Sequence, residues 1–317
     1  MSDLQRLLGY REPIFNASMA GAAGGALAAA VSQAGGVGMI GSPAAPKTEW
    51  IEQQVQHVAS LSTPWGVGFM AWALEADLSP LEAFLDFGPS LVTLSFGDVS
   101  RAAALAHEAG VLTAMQVGNA ADLERAMADD IDIIIARGGE GGGHGRNEAG
   151  TLPLLQLATA QQQKPVIAAG GIGTARGVAA VLAAGASAAW VGTRFLAASE
   201  ATGHKNVKDA VQQAGLDDTT YTRAFDVAQQ LPWAPEFGGR ALRNEFSDTH
   251  ADLSTWVPDE QLRVEMQEAR AEARTSMAPV YAGEAVQFID SVQSAAEVMA
   301  ELAGFRKVLA DAASRFA

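Results

Sequence analysis

Ile131-Asp-Ile-Ile-Ile-Ala-Arg-Gly-Gly-Glu-Gly-Gly-Gly-His-Gly-Arg-Asn147 runs from a short apolar stretch into a glycine cluster that carries one histidine, His144. A run this short reads as a buried strand, and the glycines after it let backbone approach a ligand in dihedrals that side chains forbid. Two more junctions of the same kind follow, Val166-Ile-Ala-Ala-Gly-Gly-Ile172 and Ala188-Ala-Trp-Val-Gly-Thr-Arg-Phe195. Strand ends that empty into glycine in this way point to one site assembled at the mouth of a β/α barrel.

Working outward, strands are expected near Ile14–Ser18, Val37–Ile40, Val67–Ala71, Leu91–Ser95, Leu112–Gln116, Ile131–Ala136, Val166–Ala169 and Ala188–Val191, with amphipathic or Ala-rich helices between them. The joints Gln33-Ala-Gly-Gly-Val37, Glu108-Ala-Gly-Val111 and Ala183-Ala-Gly-Ala186 each stop a helix with glycine and start a strand at once. Such joints argue for parallel strands with right-handed crossovers. An open doubly wound sheet shares this alternation; the count of eight and the glycine-rich ends after the last three strands favour closure. The fold class is therefore α/β, a (β/α)8 TIM-type barrel with a small helical domain inserted before the C-terminal helices. Residues 1–200 form the barrel, 201–279 the helical lid, where strand-like runs disappear, and 280–317 the closing helices. Within the lid, Thr255-Trp-Val-Pro258 followed by Asp259-Glu-Gln-Leu-Arg263 reads as a helix start, with Asp259 and Arg263 able to pair one turn apart.

Composition bounds the function. A chain of 317 residues, 49% hydrophobic, buries one large core plus a minor one. Its net charge of −15 disfavours nucleic acid and anionic membrane surfaces as partners. Without cysteine there is no disulfide, thiolate nucleophile or iron–sulfur ligand set, so redox chemistry needs a borrowed cofactor. The uncharged stretch Ile14–Pro46 is too rich in Ala and Gly for a membrane span, and Asp3 and Glu12 ahead of it argue against a signal peptide. A barrel strand and an inward helix fit it better, and the location expected is cytoplasmic.

Gly170-Gly171 and Gly192-Thr193 fall where many β/α barrels hold a phosphate on bare amides. The plainer reading of such glycines is a tight turn, but two adjacent junctions agree. His144, in a glycine loop at a strand end, lacks the apolar face on which the helix-borne His57 and His107 can pack, and its chemistry suits a general base or hydrogen-bond donor at neutral pH. Glu140 could orient His144, cap a turn or stand in solvent. Gly36-Val-Gly-Met-Ile-Gly41 matches the letters of the dinucleotide fingerprint but leads from a helix into a strand, the reverse of what pyrophosphate binding needs. No metal-ligand spacing is present, since His107-Glu108 lacks a second histidine one turn on.

Five ordered blocks, Pro13-Ile-Phe-Asn-Ala-Ser-Met19, Leu27-Ala-Ala-Ala-Val-Ser-Gln-Ala-Gly-Gly-Val-Gly38, Glu140-Gly-Gly-Gly-His144, Ala168-Ala-Gly-Gly-Ile172 and Gly192-Thr-Arg-Phe195, followed by Tyr281-Ala-Gly-Glu284, resemble the nitronate monooxygenase family, once called 2-nitropropane dioxygenases. The resemblance implies an FMN-dependent barrel. By position, Ala17, Ser18 and Met19 would lie at the flavin, Gln116 would reach the isoalloxazine, and Gly142 and Gly143 would line the ring edge. Gly170, Gly171, Gly192 and Thr193 would hold the phosphate. His144 matches the family's active-site histidine.

The implied reaction oxidises alkyl nitronates, or nitroalkanes, with dioxygen to a carbonyl compound and nitrite, with small molecules as partners and a homodimer as an allowed state. Three positions depart from the family pattern: Arg137 replaces Gln, Gly141 replaces Ala and Glu284 replaces Gln. Arg137 could attract an anion or pair with Glu140. The same blocks resemble flavin-dependent enoyl-acyl-carrier-protein reductases and NADH:quinone reductases, which would need NAD(P)H. A flavin- or phosphate-binding module without turnover is the third reading.

Overall fold

In the computed structural model, residues 2–161, 163–253, 256–257 and 259–316 are described. Among the described residues eleven strands appear in chain order: β1 Ile14–Asn16, β2 Gly38–Gly41, β3 Trp65–Met70, β4 Leu91–Ser95, β5 Leu112–Val117, β6 Ile133–Arg137, β7 Gly143–Gly145, β8 Val166–Ala169, β9 Ala188–Val191, β10 Thr219–Thr222 and β11 Gly238–Leu242. Eight of them pair in parallel in the order β1-β9-β8-β6-β5-β4-β3-β2, and the bridge Phe15↔Val37 joins the two ends. The sheet is thus a barrel, and each expected strand is present with its ends shifted by at most a few residues. The helix-to-strand glycines take the left-handed backbone their joints require, with φ of +102° at Gly35, +74° at Gly110 and +100° at Gly185.

Both faces of the strands are buried, which is why they read as apolar runs. Phe15, Met39, Leu91, Ile133, Ile135, Ile167 and Trp190 fill the barrel interior, and Leu4, Leu8 and Tyr10 from the N-terminal segment join that cluster. The alternate residues Ile134, Ala136, Ala168 and Val191 face the helices instead. Phe15 is fully buried, so Phe15→Ala would cost about 3–5 kcal/mol. Close helix–strand contact explains the misleading glycine string: a Cβ on Gly38 would sit 1.7 Å from the Ala28 carbonyl oxygen, and one on Gly41 2.4 Å from Met19 backbone. Those glycines serve packing. The uncharged segment forms β1, the helix Gly25–Gln33 and β2, and no helix among the described residues is long and apolar enough to cross a membrane.

The segment after the barrel differs from expectation in one respect. It contains the helices Lys205–Gln213, Ala224–Gln229, Glu245–Thr249 and Glu260–Ala271, but also β10 and β11. These form an antiparallel sheet of order β10-β11-β7, so strand-like structure does not disappear there. Pairing with distant partners, rather than local alternation, creates these strands. Asp259 caps its helix by accepting from the Leu262 N–H at 2.8 Å, while Arg263 turns to Glu260 and not to Asp259. Thr255 and Pro258 lie outside the described residues. Two helices, Ala295–Leu302 and Phe305–Arg315, close the chain, and His57 lies just beyond its helix, Thr48–Val55, rather than on it.

Candidate active site

The site grows from the C-terminal ends of the barrel strands. Gly170 and Gly171 leave β8 with φ of +107° and +68°, a backbone that a side chain would strain. A Cβ on Gly170 would also lie 2.6 Å from the Thr151 hydroxyl. Gly192 leaves β9 so close to the end of β1 that a Cβ would meet Ala17 at 3.3 Å and the Met19 sulfur at 3.5 Å. The Thr193 hydroxyl accepts the Gly283 N–H at 3.0 Å, which leaves its own proton free to donate. A Cβ on Gly142 would strike the Gly283 nitrogen at 2.5 Å, and the Glu284 N–H donates to the Glu140 carbonyl at 3.0 Å. Ala17, Met19, Gly142, Gly170, Gly171, Gly192 and Thr193 therefore form one continuous rim. Ser18 stands beside it, 3.4 Å from the Thr93 hydroxyl.

Glu140 is settled by its contacts. Its carboxylate accepts the Thr151 N–H at 3.0 Å and the Thr151 hydroxyl at 2.9 Å, capping the helix Thr151–Ala160. Among the described residues it makes no hydrogen bond to His144 and no close ion pair with Arg137, although its charge favours that guanidinium's charged form. Arg137 is buried, and burial pushes its guanidinium down to about 10, still charged at neutral pH. It donates to the carbonyls of Gly141, Gly142, Gly143 and Arg146 at 2.5–3.3 Å, so it holds the glycine loop from inside. A Cβ on Gly141 would lie 2.9 Å from the Arg137 Nε. The larger residue at 137 and the smaller one at 141 thus accommodate each other. Glu284, the third departure, lies 3.4 Å from Arg240.

His144 sits on β7, opposite Gly239 of β11. Its Nε2 lies 2.8 Å from the Asp226 carboxylate, and the two side chains are 11% and 3% exposed. The imidazole stacks on Trp233 at 3.7 Å and 4°, with Tyr281 tilted against it at 5.1 Å. The Tyr281 hydroxyl lies 3.4 Å from the same Asp226 oxygen; burial first, then that carboxylate, pushes its ionisation far up, so it remains a donor. Among the described residues Nδ1 has no hydrogen-bond partner. Trp233 continues into an aromatic wall with Trp72 at 5.5 Å and Phe96 at 5.0 Å, and Phe96 meets Phe237 at 5.2 Å. Phe96 holds a left-handed φ of +67°, a strained backbone for a bulky residue at the end of β4. Gln116 lines a small cavity with Phe96, Gly145, Arg146 and Phe237.

The wall and Asp226 escaped sequence reasoning. Asp226 lies 82 residues from His144 on a short helix without a motif, and Trp72 and Phe96 fall just past the ends of expected strands with nothing local to mark them. Tyr281 alone had a signal, within the block Tyr281-Ala-Gly-Glu284.

The sequence model described as nitronate monooxygenase matches residues 70–304. The chain belongs to the nitronate monooxygenase family. Nitronate monooxygenase npaC of Metarhizium robertsii is 30% identical over 321 residues, covering 91% of this chain and 89% of that protein. A Mycobacterium tuberculosis protein named (3aS,4S,5R,7aS)-5-hydroxy-7a-methyl-1-oxo-octahydro-1H-indene-4-carboxyl-CoA dehydrogenase is 34% identical over 267 residues, 80% of this chain and 75% of its own. Among solved structures, FabK from Thermotoga maritima superposes with a TM-score of 0.85 at 27% identity, covering 99% of both chains. This nitronate monooxygenase family member is an oxidoreductase built on a TIM barrel.

Proposed function

We propose that the protein is an FMN-dependent nitronate monooxygenase, which oxidises alkyl nitronates, and nitroalkanes after loss of a carbon-bound proton, with dioxygen to a carbonyl compound and nitrite. The observation that carries this reading is His144, fixed on the glycine loop by Asp226 and Trp233 with Nδ1 left open beside the rim of strand ends. The residues present fit the cofactor: the rim offers neutral backbone amides and the Thr193 hydroxyl, and the nearby carboxylates of Glu140 and Glu284 are spent on Thr151 and Arg240.

Gly170, Gly171, Gly192 and Thr193 would hold the phosphate, with Ala17, Ser18, Met19 and Gly142 bordering the flavin and Gln116 and Gly143 at its ring. Bound there, FMN would supply the electron transfer between nitronate and dioxygen. The chain's own part is placement and charge. His144 Nδ1 accepts the proton from the carbon beside the nitro group, and the resulting imidazolium holds the nitronate's negative charge. Trp72, Phe96, Trp233 and Phe237 exclude water around the reacting carbon.

A second reading follows from the name of the Mycobacterium tuberculosis relative: oxidation or reduction of an acyl-CoA thioester in the same cleft. The separating experiment is oxygen uptake by the yellow protein with propyl-1-nitronate and with NADH, each alone. Rapid uptake with nitronate and none with NADH is expected. Flavin bleaching by NADH without nitronate turnover would overturn the monooxygenase reading and favour a reductase.

A further inference from the structure

We propose that Asp226 is the positioning residue of the site: its carboxylate accepts the Nε2–H of His144, so the lone pair that takes the substrate proton is on Nδ1. The turnover part rests on the function proposed above; the tautomer part stands without it. The argument begins with the donor inventory. A neutral imidazole carries one N–H and one lone pair, and an ionised carboxylate only accepts. With Nε2 at 2.8 Å from Asp226 Oδ1, the proton belongs on Nε2. Nδ1 is left as the acceptor, without a partner among the described residues.

Burial makes the arrangement binding. Asp226 is 2% exposed, and a buried carboxylate needs its donors. His144 and the Tyr281 hydroxyl, 3.4 Å from the same oxygen, supply them. The ring cannot turn over cheaply, because Trp233 lies flat against it at 3.7 Å and Tyr281 is tilted against it at 5.1 Å. Flipping would also leave Asp226 facing a lone pair. When Nδ1 takes a proton, the carboxylate stabilises the charge that develops on the ring. A base and its orienting acid are thereby drawn from separate parts of the chain: the histidine from the glycine loop, the carboxylate from the helix Ala224–Gln229.

The test uses the flavin-loaded full-length protein with 15N-labelled histidine. Long-range 1H–15N spectra assigned to His144 by the His144→Ala variant are expected to show a neutral ring protonated at Nε2. In Asp226→Asn that signature should collapse toward a mixture, with kcat for propyl-1-nitronate down about 100-fold or more and KM within about threefold. Asp226→Glu should restore part of kcat, which a purely structural role would not require. Tyr281→Phe, which removes only the hydroxyl, should keep the Nε2–H signature and lower kcat by less than tenfold. A wild-type ring protonated at Nδ1, or Asp226→Asn folded, yellow and at full kcat, would overturn the proposal. Wild-type protein with the Nε2–H signature but no nitronate turnover would uphold the positioning assignment and count against the monooxygenase reading alone.

Discussion

Among the described residues, His107 and His144 each lie within 3 Å of an aspartate, at opposite ends of the barrel, and their surroundings differ. At the N-terminal face, His107 Nε2 lies 2.9 Å from Asp132, which also accepts the Thr113 N–H and hydroxyl. Its Nδ1 is taken too, 3.3 Å from the solvent-exposed Asp130. At the mouth, His144 meets Asp226 at 2.8 Å, its second nitrogen has no partner among the described residues, and its ring lies on Trp233. A histidine beside an aspartate is therefore not a site. An unspent nitrogen at the strand ends, shielded by aromatic rings, distinguishes one pair from the other.

The sharpest way to break this contrast is to remove each ring in turn. His144→Ala should lower kcat/KM for a nitroalkane by about 10²–10⁴-fold, whereas His107→Ala should leave it within about twofold and only lower Tm. Loss of turnover in folded, flavin-loaded His107→Ala would erase the distinction. Next in size, Arg137→Gln removes the donor shared by four loop carbonyls. Denaturant unfolding should show a loss of about 2–3 kcal/mol, together with a raised KM because the His144 loop loosens.

Glycines extend the comparison. Gly110→Ala at the lower face meets nothing within 4 Å, so strain alone should cost about 1 kcal/mol and flavin content should be unchanged. Gly170→Ala adds a contact 2.6 Å from Thr151 in the proposed phosphate cradle, and fluorescence titration should show FMN affinity reduced about tenfold or more. Equal effects of the two on FMN would argue against the cradle.

The smallest expected effect belongs to Asp132. Burial pushes its carboxyl up, but the donors from Thr113 and His107 outweigh this and hold it below its ordinary 3.8. A depressed carboxyl adds stability above its unfolded value and loses it as pH falls through the lowered folded one. Asp132→Asn should therefore have a lower Tm than wild type at pH 7, with the gap closing as pH falls below about 4. A gap independent of pH would show that the carboxylate's charge is irrelevant.

What the sequence made legible follows from interaction range. The eight barrel strands were readable because Ile131–Ala136, Val166–Ala169 and their counterparts are buried on both faces and end in glycine, all within a few neighbours. Gly170, Gly171, Gly192 and His144 stood out for the same local reason. β7, Gly-His-Gly, has no strand propensity of its own and exists because Arg240, Gly239 and Gly238 pair with it. Asp226 was invisible in the same way, since no nearby residue marks its helix as facing His144. The fate of Arg137 could not be read either, because four carbonyls compete for it on equal terms with any anion until the loop's path is known.

The pairing of His144 with a strand and a carboxylate far down the chain has a consequence for synthesis. His144 is made well before Asp226, 82 residues later, and β11 after that. During elongation the barrel's parallel strands are already complete while the histidine's partners are still unmade. Closing the circle of strands joins β1 to β9, Ile14 to Ala189, and so uses only strands already made, whereas His144 has no anchor until Asp226 and β11 emerge. In order of synthesis, the strands of the barrel thus come first and the anchor of the histidine second.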